Sequence, residues 1–348
     1  MTTSPQSHAP ATRLVAVDAE GMRIGAAGVA PLPIEQSAPW EAFEATRGNR
    51  HWGRFEWFEG EKRCAVISLY AHSLRGVTYL WAKHGPVWLK EATPEREAAF
   101  RADLAAEVKK RDRSVAFVRL HATYSAEDLE DVLQIITYDR TVIIDTSGGS
   151  EESVLESMTT EGRRAVRRAK KRMDEGGGII VEETGLSEKD FAEYYSILVE
   201  TAQRDGFSPH PMEYYTSMLS ALGPEHARLF GVRVGENREL VCWDLVLVYD
   251  KQAVAFYGAS SAQARNVLGP DALDFGVAAI LAAEGITGGL DLMGAHSPRI
   301  PQLFRVGKYK KRYAQHYTDV PGAWDMPLKP TLYKALRAAL RLKRSLRA

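Results

Sequence analysis

The chain has 348 residues, with Lys plus Arg and Asp plus Glu at 45 each, so its formal net charge is zero. That balance gives no whole-molecule field for general nucleic-acid binding, and an anionic partner must be met by local patches. The length allows two domains, and the two cysteines, Cys64 and Cys242, stand in no CxxC or Cys/His spacing, which argues against a metal site or a redox pair.

Residues 1 to about 11 hold Thr, Ser, Pro, Gln and His with almost nothing to bury, and are expected to be disordered. This start lacks the apolar core of a signal peptide and no stretch reaches membrane-span length, so a cytoplasmic protein is expected. Apolar and β-branched runs then predict strands over 64–70, 77–81, 115–120 and 141–144. Between them, apolar residues at helical spacing predict helices over 94–110 and 126–136, with Thr93 and Ser125 as N-caps and Pro94 at a first helical position. The second half predicts helices over 151–174, 188–203 and 211–222, and strands over 228–234, 241–249 and 253–258. A helix over 271–284 and a short strand near Leu290 follow. Consecutive glycines from Gly176 to Gly178 end the long basic helix. The order implies an α/β (α+β) acyltransferase-like fold.

Four segments carry candidate chemistry. On the basic helix, Arg163, Arg164, Arg167, Arg168, Lys170, Lys171 and Arg172 surround a stripe of Val166, Ala169 and Met173. This reads either as a solvated face or as a dock for tRNA phosphates or anionic lipid. The stretch 331–348 pairs Leu332, Leu336 and Leu340 with Lys334, Arg337 and Arg341, a basic amphipathic helix that either packs back on the protein or lies on an anionic bilayer. Arg204, before Asp205 and Gly206, either forks onto phosphate oxygens or caps its helix. Lys308, Lys310, Lys311 and Arg312 interleave with Tyr309 and Tyr313, an anion-binding loop with rings able to stack on a base. No GxGxxG, Walker loop, GxSxG, HExxH or pyrophosphate-cradling RxxGxG loop occurs, which weighs against dinucleotide, nucleotide triphosphate, hydrolase, zincin and coenzyme A readings.

Taken together in order, these residues resemble the FemABX family of tRNA-dependent peptidyltransferases from Gln36 to Gly322. Gln36, Ser37 and Trp40 are similar to its Q-S-x-x-W element, and Gly85, Pro86 and Val87 to its G-P-V. Met158, Arg163, Val166 and Ala169 resemble M-x4-R-x2-I-x2-A, and Thr201, Ala202, Arg204, Asp205 and Gly206 resemble T-A-x-R-D-G, with Tyr214 and Tyr215 following. Tyr257 to Ser260 resemble Y-G-A-S and Asp291 with Gly294 D-x-x-G. Tyr309, Lys310 and Tyr313, then Pro321 and Gly322, resemble F-K-x-x-F and P-G.

The resemblance implies two GNAT-like domains in tandem, 12–143 plus 320–348 and 144–319, the C-terminal segment returning to the first. It implies transfer of an amino acid from aminoacyl-tRNA, as co-substrate and with no cofactor, to an amine of lipid II or a UDP-MurNAc-peptide, with peripheral contact at the inner membrane leaflet. Lys310 then stabilises the oxyanion, Arg204, Tyr215, Tyr257 and Tyr313 bind substrate, and Arg163, Arg167, Lys308, Lys311 and Arg312 bind tRNA. Where some members carry an acid, this chain has His121, able to take the amine's proton near neutral pH. Where the family often has a lysine after the tryptophan, Glu41, Ala42, Phe43 and Glu44 stand. A coenzyme A dependent N-acyltransferase and a non-enzymatic tRNA- or membrane-binding module are the alternatives.

Overall fold

In the computed structural model, which describes residues 10–133 and 137–345, two separate sheets carry the long strands. The chain divides into one unit of Met1–Ala38, Gly48–Ile136 and Pro321–Ala348 and another of Pro39–Arg47 and Thr137–Val320. The segments 39–47 and 137–143 thus lie with the second unit, whereas the sequence reading puts them in the first.

The first unit's sheet runs in the order Thr12–Ala16, Arg50–Glu59, Lys62–Leu74, Val77–Trp81, Phe117–Ala122, Gly322–Pro327 and Glu130–Asp131. Val77–Trp81 and Phe117–Ala122 are parallel, which requires a crossover, and helix Pro94–Arg111 supplies it. Thr93 caps that helix by accepting from the Arg96 N–H, and Phe100, Leu104 and Val108 recur at helical spacing to pack on Trp57, Leu80 and Val118. Strand Gly322–Pro327 is locked to its neighbour by a buried fork. Arg119 donates to both Asp325 oxygens at 2.7 and 3.0 Å, and the Tyr333 hydroxyl donates to Asp325 at 2.9 Å. Helix Pro330–Ser345 seats Tyr333, Leu336 and Leu340 against Tyr79, Phe117 and Leu133, so its apolar face packs back on the unit. Among the described residues no helix is long and apolar enough to cross a membrane.

The second unit repeats the theme. Its sheet runs Ile179–Glu182, Ala227–Val234, Glu239–Tyr249, Gln252–Ser260, Leu290–Asp291 and Ile143–Ile144. Here the parallel pair is Gln252–Ser260 with Leu290–Asp291, and helix Gly269–Ala283 is the crossover. Its buried Leu273, Val277 and Leu281 pack with Val166, Ala169 and Met173 of helix Thr160–Glu175 on the sheet's Val232 and Val246.

Two predicted helices differ from the structure, for tertiary reasons. Over 126–133 the chain makes a turn and the short strand Glu130–Asp131, because the Leu133 N–H donates to Asp325 at 3.0 Å and its carbonyl accepts from Arg119 at 3.1 Å; 134–136 lie outside the described residues. The helix predicted over 151–174 is two, Glu151–Ser157 and Thr160–Glu175, parted by extended backbone at Met158. Thr159 restarts the helix as N-cap, accepting from the Gly162 N–H. Strand Arg50–Glu59 escapes the sequence pattern because Arg54 and Glu56 are buried within it. Of the segment expected to be disordered, 1–9 lie outside the described residues.

Candidate active site

Strands Gln252–Ser260 and Leu290–Asp291 pair only at Ala253 with Leu290 and Val254 with Asp291. Past that point one strand runs on to Ser260 while the other chain turns away at Met293, which holds the left-handed φ of 61°. The gap between them opens a cavity of about 550 Å³, lined by Arg204, Asp244, Ser260, Asp274, Tyr309 and Lys310 among others. A cleft at the carboxyl ends of diverging strands is where an α/β sheet most readily admits a ligand.

Lys310 comes from the short helix Phe304–Lys311, and its ammonium donates to the carbonyls of Met293 at 3.1 Å and Gly294 at 3.3 Å. Those carbonyls are aimed by Asp291, whose carboxylate accepts from the Met293 N–H at 2.6 Å and from the Thr141 hydroxyl. The D-x-x-G pattern therefore has a physical use: the acid bends the chain and presents two carbonyls to the lysine. Burial lowers the Lys310 pKa from its ordinary value, against the raising effect of Asp274, Asp291 and Asp244. The helix end is fixed from behind, because the Arg312 carbonyl accepts from the Thr159 hydroxyl at 2.7 Å and from the Thr159 N–H at 3.2 Å. Gly162 makes this possible, since a Cβ there would lie 2.1 Å from that carbonyl oxygen.

Asp244 enters from strand Glu239–Tyr249 and Asp274 from helix Gly269–Ala283. Burial raises both carboxyl pKa values, that of Asp274 to about 6. The charge of Asp274 adds to the rise at Asp244, and the Tyr309 hydroxyl, donating to Asp274 at 3.0 Å, opposes the rise there. Gly258 leaves room for Asp244, because a Cβ at Gly258 would sit 2.3 Å from the Asp244 Oδ1. Sequence reasoning names neither acid. Their signal is a lone Asp in the apolar run Val241–Cys242–Trp243–Asp244–Leu245, and Asp274 three residues past Asp271 on an otherwise apolar helix.

Arg204 lines the same cavity, but two of its nitrogens already fork onto Asp205 at 3.0 Å each, and the third donates to the Ser260 carbonyl at 2.7 Å. Thr201 bonds the same residue, accepting from the Ser260 N–H at 3.0 Å. The T-A-x-R-D-G and Y-G-A-S elements are thus one interlocked wall, and Gly206, with φ 76°, ends the helix in the left-handed conformation.

The other predicted site residues separate into groups. Tyr257 and Tyr215 lie in an aromatic cluster, with the Tyr257 hydroxyl 3.2 Å from that of Tyr214 and the two rings 5.0 Å apart. Tyr215 is fully buried, and its hydroxyl accepts from the His210 N–H at 3.2 Å, so it supports the cluster from within. Tyr313 is also fully buried, donates to Asp271 at 2.7 Å and lies 3.1 Å from the Tyr309 hydroxyl, so it braces the cavity wall. Arg312 pairs with Asp271 at 2.6 Å with its guanidinium 4.1 Å from the Tyr309 ring centre, which withdraws it from the tRNA role expected of it. Lys311 turns back to the Ala314 and Gln315 carbonyls at 2.9 and 2.6 Å, and Lys308 is exposed. Arg163 holds its own helix start, donating to the Met158 carbonyl at 2.6 Å, whereas Arg167 is exposed.

His121 belongs to the first unit. Its Nδ1 lies 2.8 Å from the Pro321 carbonyl, which fixes a proton there, and its ring is 4.8 Å from that of His84. Burial, then the His84 charge, pushes its pKa down to about 3. The ring stays neutral, and so weak a base is poorly suited to take a proton from an amine, contrary to the role expected for it.

Comparison with known proteins agrees with this architecture. Residues 160–311 match the family model for an acetyltransferase (GNAT) domain. The crystal structure of FemX is similar with a TM-score of 0.72 at 13% identity, over 93% of this chain and 99% of that one. The structure of L-PGS from Bacillus licheniformis is similar with a TM-score of 0.51 at 11% identity, over 97% of this chain and 99% of that one. No curated protein matches the sequence. Residues 160–311 thus match a GNAT acetyltransferase domain and contain the cavity, and the chain as a whole shares the fold of FemX, two GNAT-like domains in tandem.

Proposed function

We propose that this acyltransferase moves an amino acid from aminoacyl-tRNA to an amine of a peptidoglycan precursor, lipid II or a UDP-MurNAc-peptide, using no cofactor. The observation that carries the reading is Lys310, a cation held by two carbonyls inside the cavity where the parallel strands part. The neutral acceptor amine attacks the ester carbonyl, an N–C bond forms, the C–O bond to the ribose breaks, and the amine's proton ends on the released ribose hydroxyl. Negative charge builds on the carbonyl oxygen in between, and a fixed ammonium there stabilises the transition state more than the ground state. The FemX fold supports the reading over nearly the whole chain.

The test is transfer of labelled amino acids from a charged-tRNA pool to purified lipid II and UDP-MurNAc-peptide. Lys310→Met is expected to lower kcat by about 10²–10³, as loss of one oxyanion donor does, with tRNA affinity nearly unchanged. The acetyltransferase model match favours a second reading, an acyl-coenzyme A donor. Label that moves from acetyl-coenzyme A and from no tRNA would replace the first reading with it.

A further inference from the structure

The cavity holds more acidic groups than an oxyanion site needs. Asp244 and Asp274 reach it from different elements, a strand and the crossover helix, and both line it together with Lys310. Lys310 does not neutralise them by contact, since its ammonium is held by the Met293 and Gly294 carbonyls. Asp274 takes one hydrogen bond, from Tyr309 at 3.0 Å, and among the described residues no hydrogen bond or ion pair engages Asp244. The sequence also makes room for the unpaired acid, because Gly258 is the residue that lets the Asp244 carboxylate lie over the strand. Two desolvated carboxylates facing one cavity are held apart by repulsion unless a cation or a proton lies between them. Burial and mutual repulsion raise their affinity for a proton, and a cation that donates to both would relieve the same repulsion.

Resting on the donor reading above, we propose that Asp244 and Asp274 are the receptor for the α-ammonium of the aminoacyl ester. An ammonium brings three donors, enough for both carboxylates, and seats the ester carbonyl beside Lys310. An acyl group without that charge leaves the acids buried and unpaired, which a polar site rejects more strongly than an apolar pocket rejects a missing methylene. Gly258 in the Y-G-A-S element is then a specificity residue at one remove: it positions Asp244.

The experiment compares, in each enzyme, the aminoacyl-tRNA that the wild type uses best with the same tRNA after nitrous-acid deamination, which turns the ammonium into a hydroxyl of nearly equal size. The wild type is expected to prefer the ammonium form in kcat/KM by about ten- to a hundredfold, the worth of a charge-assisted hydrogen bond or two. Asp244→Asn and Asp274→Asn are expected to bring that ratio toward one, and Lys310→Met to lower both donors alike. A wild type that uses both donors equally, or Asn variants that lose both by the same factor, overturns the receptor. Because the ratio is taken within each variant, partial misfolding cancels. Should no charged tRNA support transfer, the donor reading fails, and calorimetry decides the receptor separately with an amino-acid amide against the matching hydroxy amide. Preference for the amino amide that Asp244→Asn abolishes sustains the receptor, and equal or no binding of the two overturns it.

Discussion

At the scale of the residue, the site holds its acids against their own solvation, and this has a measurable sign. The Asp274 carboxyl has a folded pKa of about 6, above the value near 3.9 typical of an unfolded chain. The folded state therefore binds a proton more tightly than the unfolded state does. Stability falls as pH rises from about 4 to about 6, and the deficit stays in place above that. Asp274→Asn removes the ionisation while keeping an acceptor for Tyr309, so it is expected to be more stable than the wild type at pH 7.5, on the order of 1 kcal/mol, and to lose that advantage near pH 4. Thermal unfolding at the two pH values measures it. A variant less stable than the wild type at pH 7.5 would mean that the acid is structural. Asp244, raised by burial in the same direction, is expected to behave alike.

At the scale of the element, the lysine is only as well placed as the helix that carries it. Helix Phe304–Lys311 ends at the Arg312 carbonyl, which Thr159 grips and against which Gly162 lies bare. In Gly162→Ala the new methyl meets backbone, so either the start of helix Thr160–Glu175 or the chain after Lys310 must shift. A loss of about 1–3 kcal/mol in stability is expected for such overpacking, with kcat lowered more than KM is raised. Unchanged kcat in a folded variant would show that the junction does not position Lys310. This junction also marks what the sequence can and cannot display. The three-stranded meander and the crossover helix are legible because their signals are local: apolar period, Thr93 as a cap, and the glycines from Gly176 to Gly178 as a stop. Lys310 and Arg204 are legible through the ordered motif series. The region 126–133 misleads because its helical spacing is overridden by Arg119 and Asp325, the latter 192 residues from Leu133. Asp244, Asp274 and Gly162 escape a linear reading because their meaning lies in which elements meet: an Asp in an apolar run is ordinary until a helix and a diverging strand enclose it.

At the scale of the whole molecule, zero net charge makes RNA binding a question of where the cations remain unengaged. The basic helix gives part of the answer, since Arg163 is turned to its own helix start while Arg164, Arg167 and Arg168 are exposed. Arg168 and Arg172 also line, with Arg265, Asn266 and Leu268, a cleft of about 590 Å³ next to the start of helix Gly269–Ala283. Among the described residues the only side-chain partner of Arg172 is the exposed Glu175, at 3.3 Å, and a pair of that kind is worth little in water. For the RNA donor of the proposed reaction these three guanidiniums are better placed than Arg163 or Arg312, whose charges are engaged elsewhere. Counterion release makes the argument quantitative: for every phosphate no longer neutralised, the dependence of log affinity on log salt should flatten by roughly 0.7 to 0.9. Replacing Arg168, Arg172 and Arg265 together by Gln is expected to weaken tRNA binding at low salt and reduce that slope by about two, measured by filter binding or fluorescence anisotropy over a salt series. Arg163→Gln is expected to change the slope little, and Lys310→Met hardly at all, because its charge serves the ester carbonyl within the cavity. A triple variant with an unchanged slope would move the RNA interface off this face. An affinity that salt does not alter in the wild type would remove phosphate recognition from the donor reading altogether.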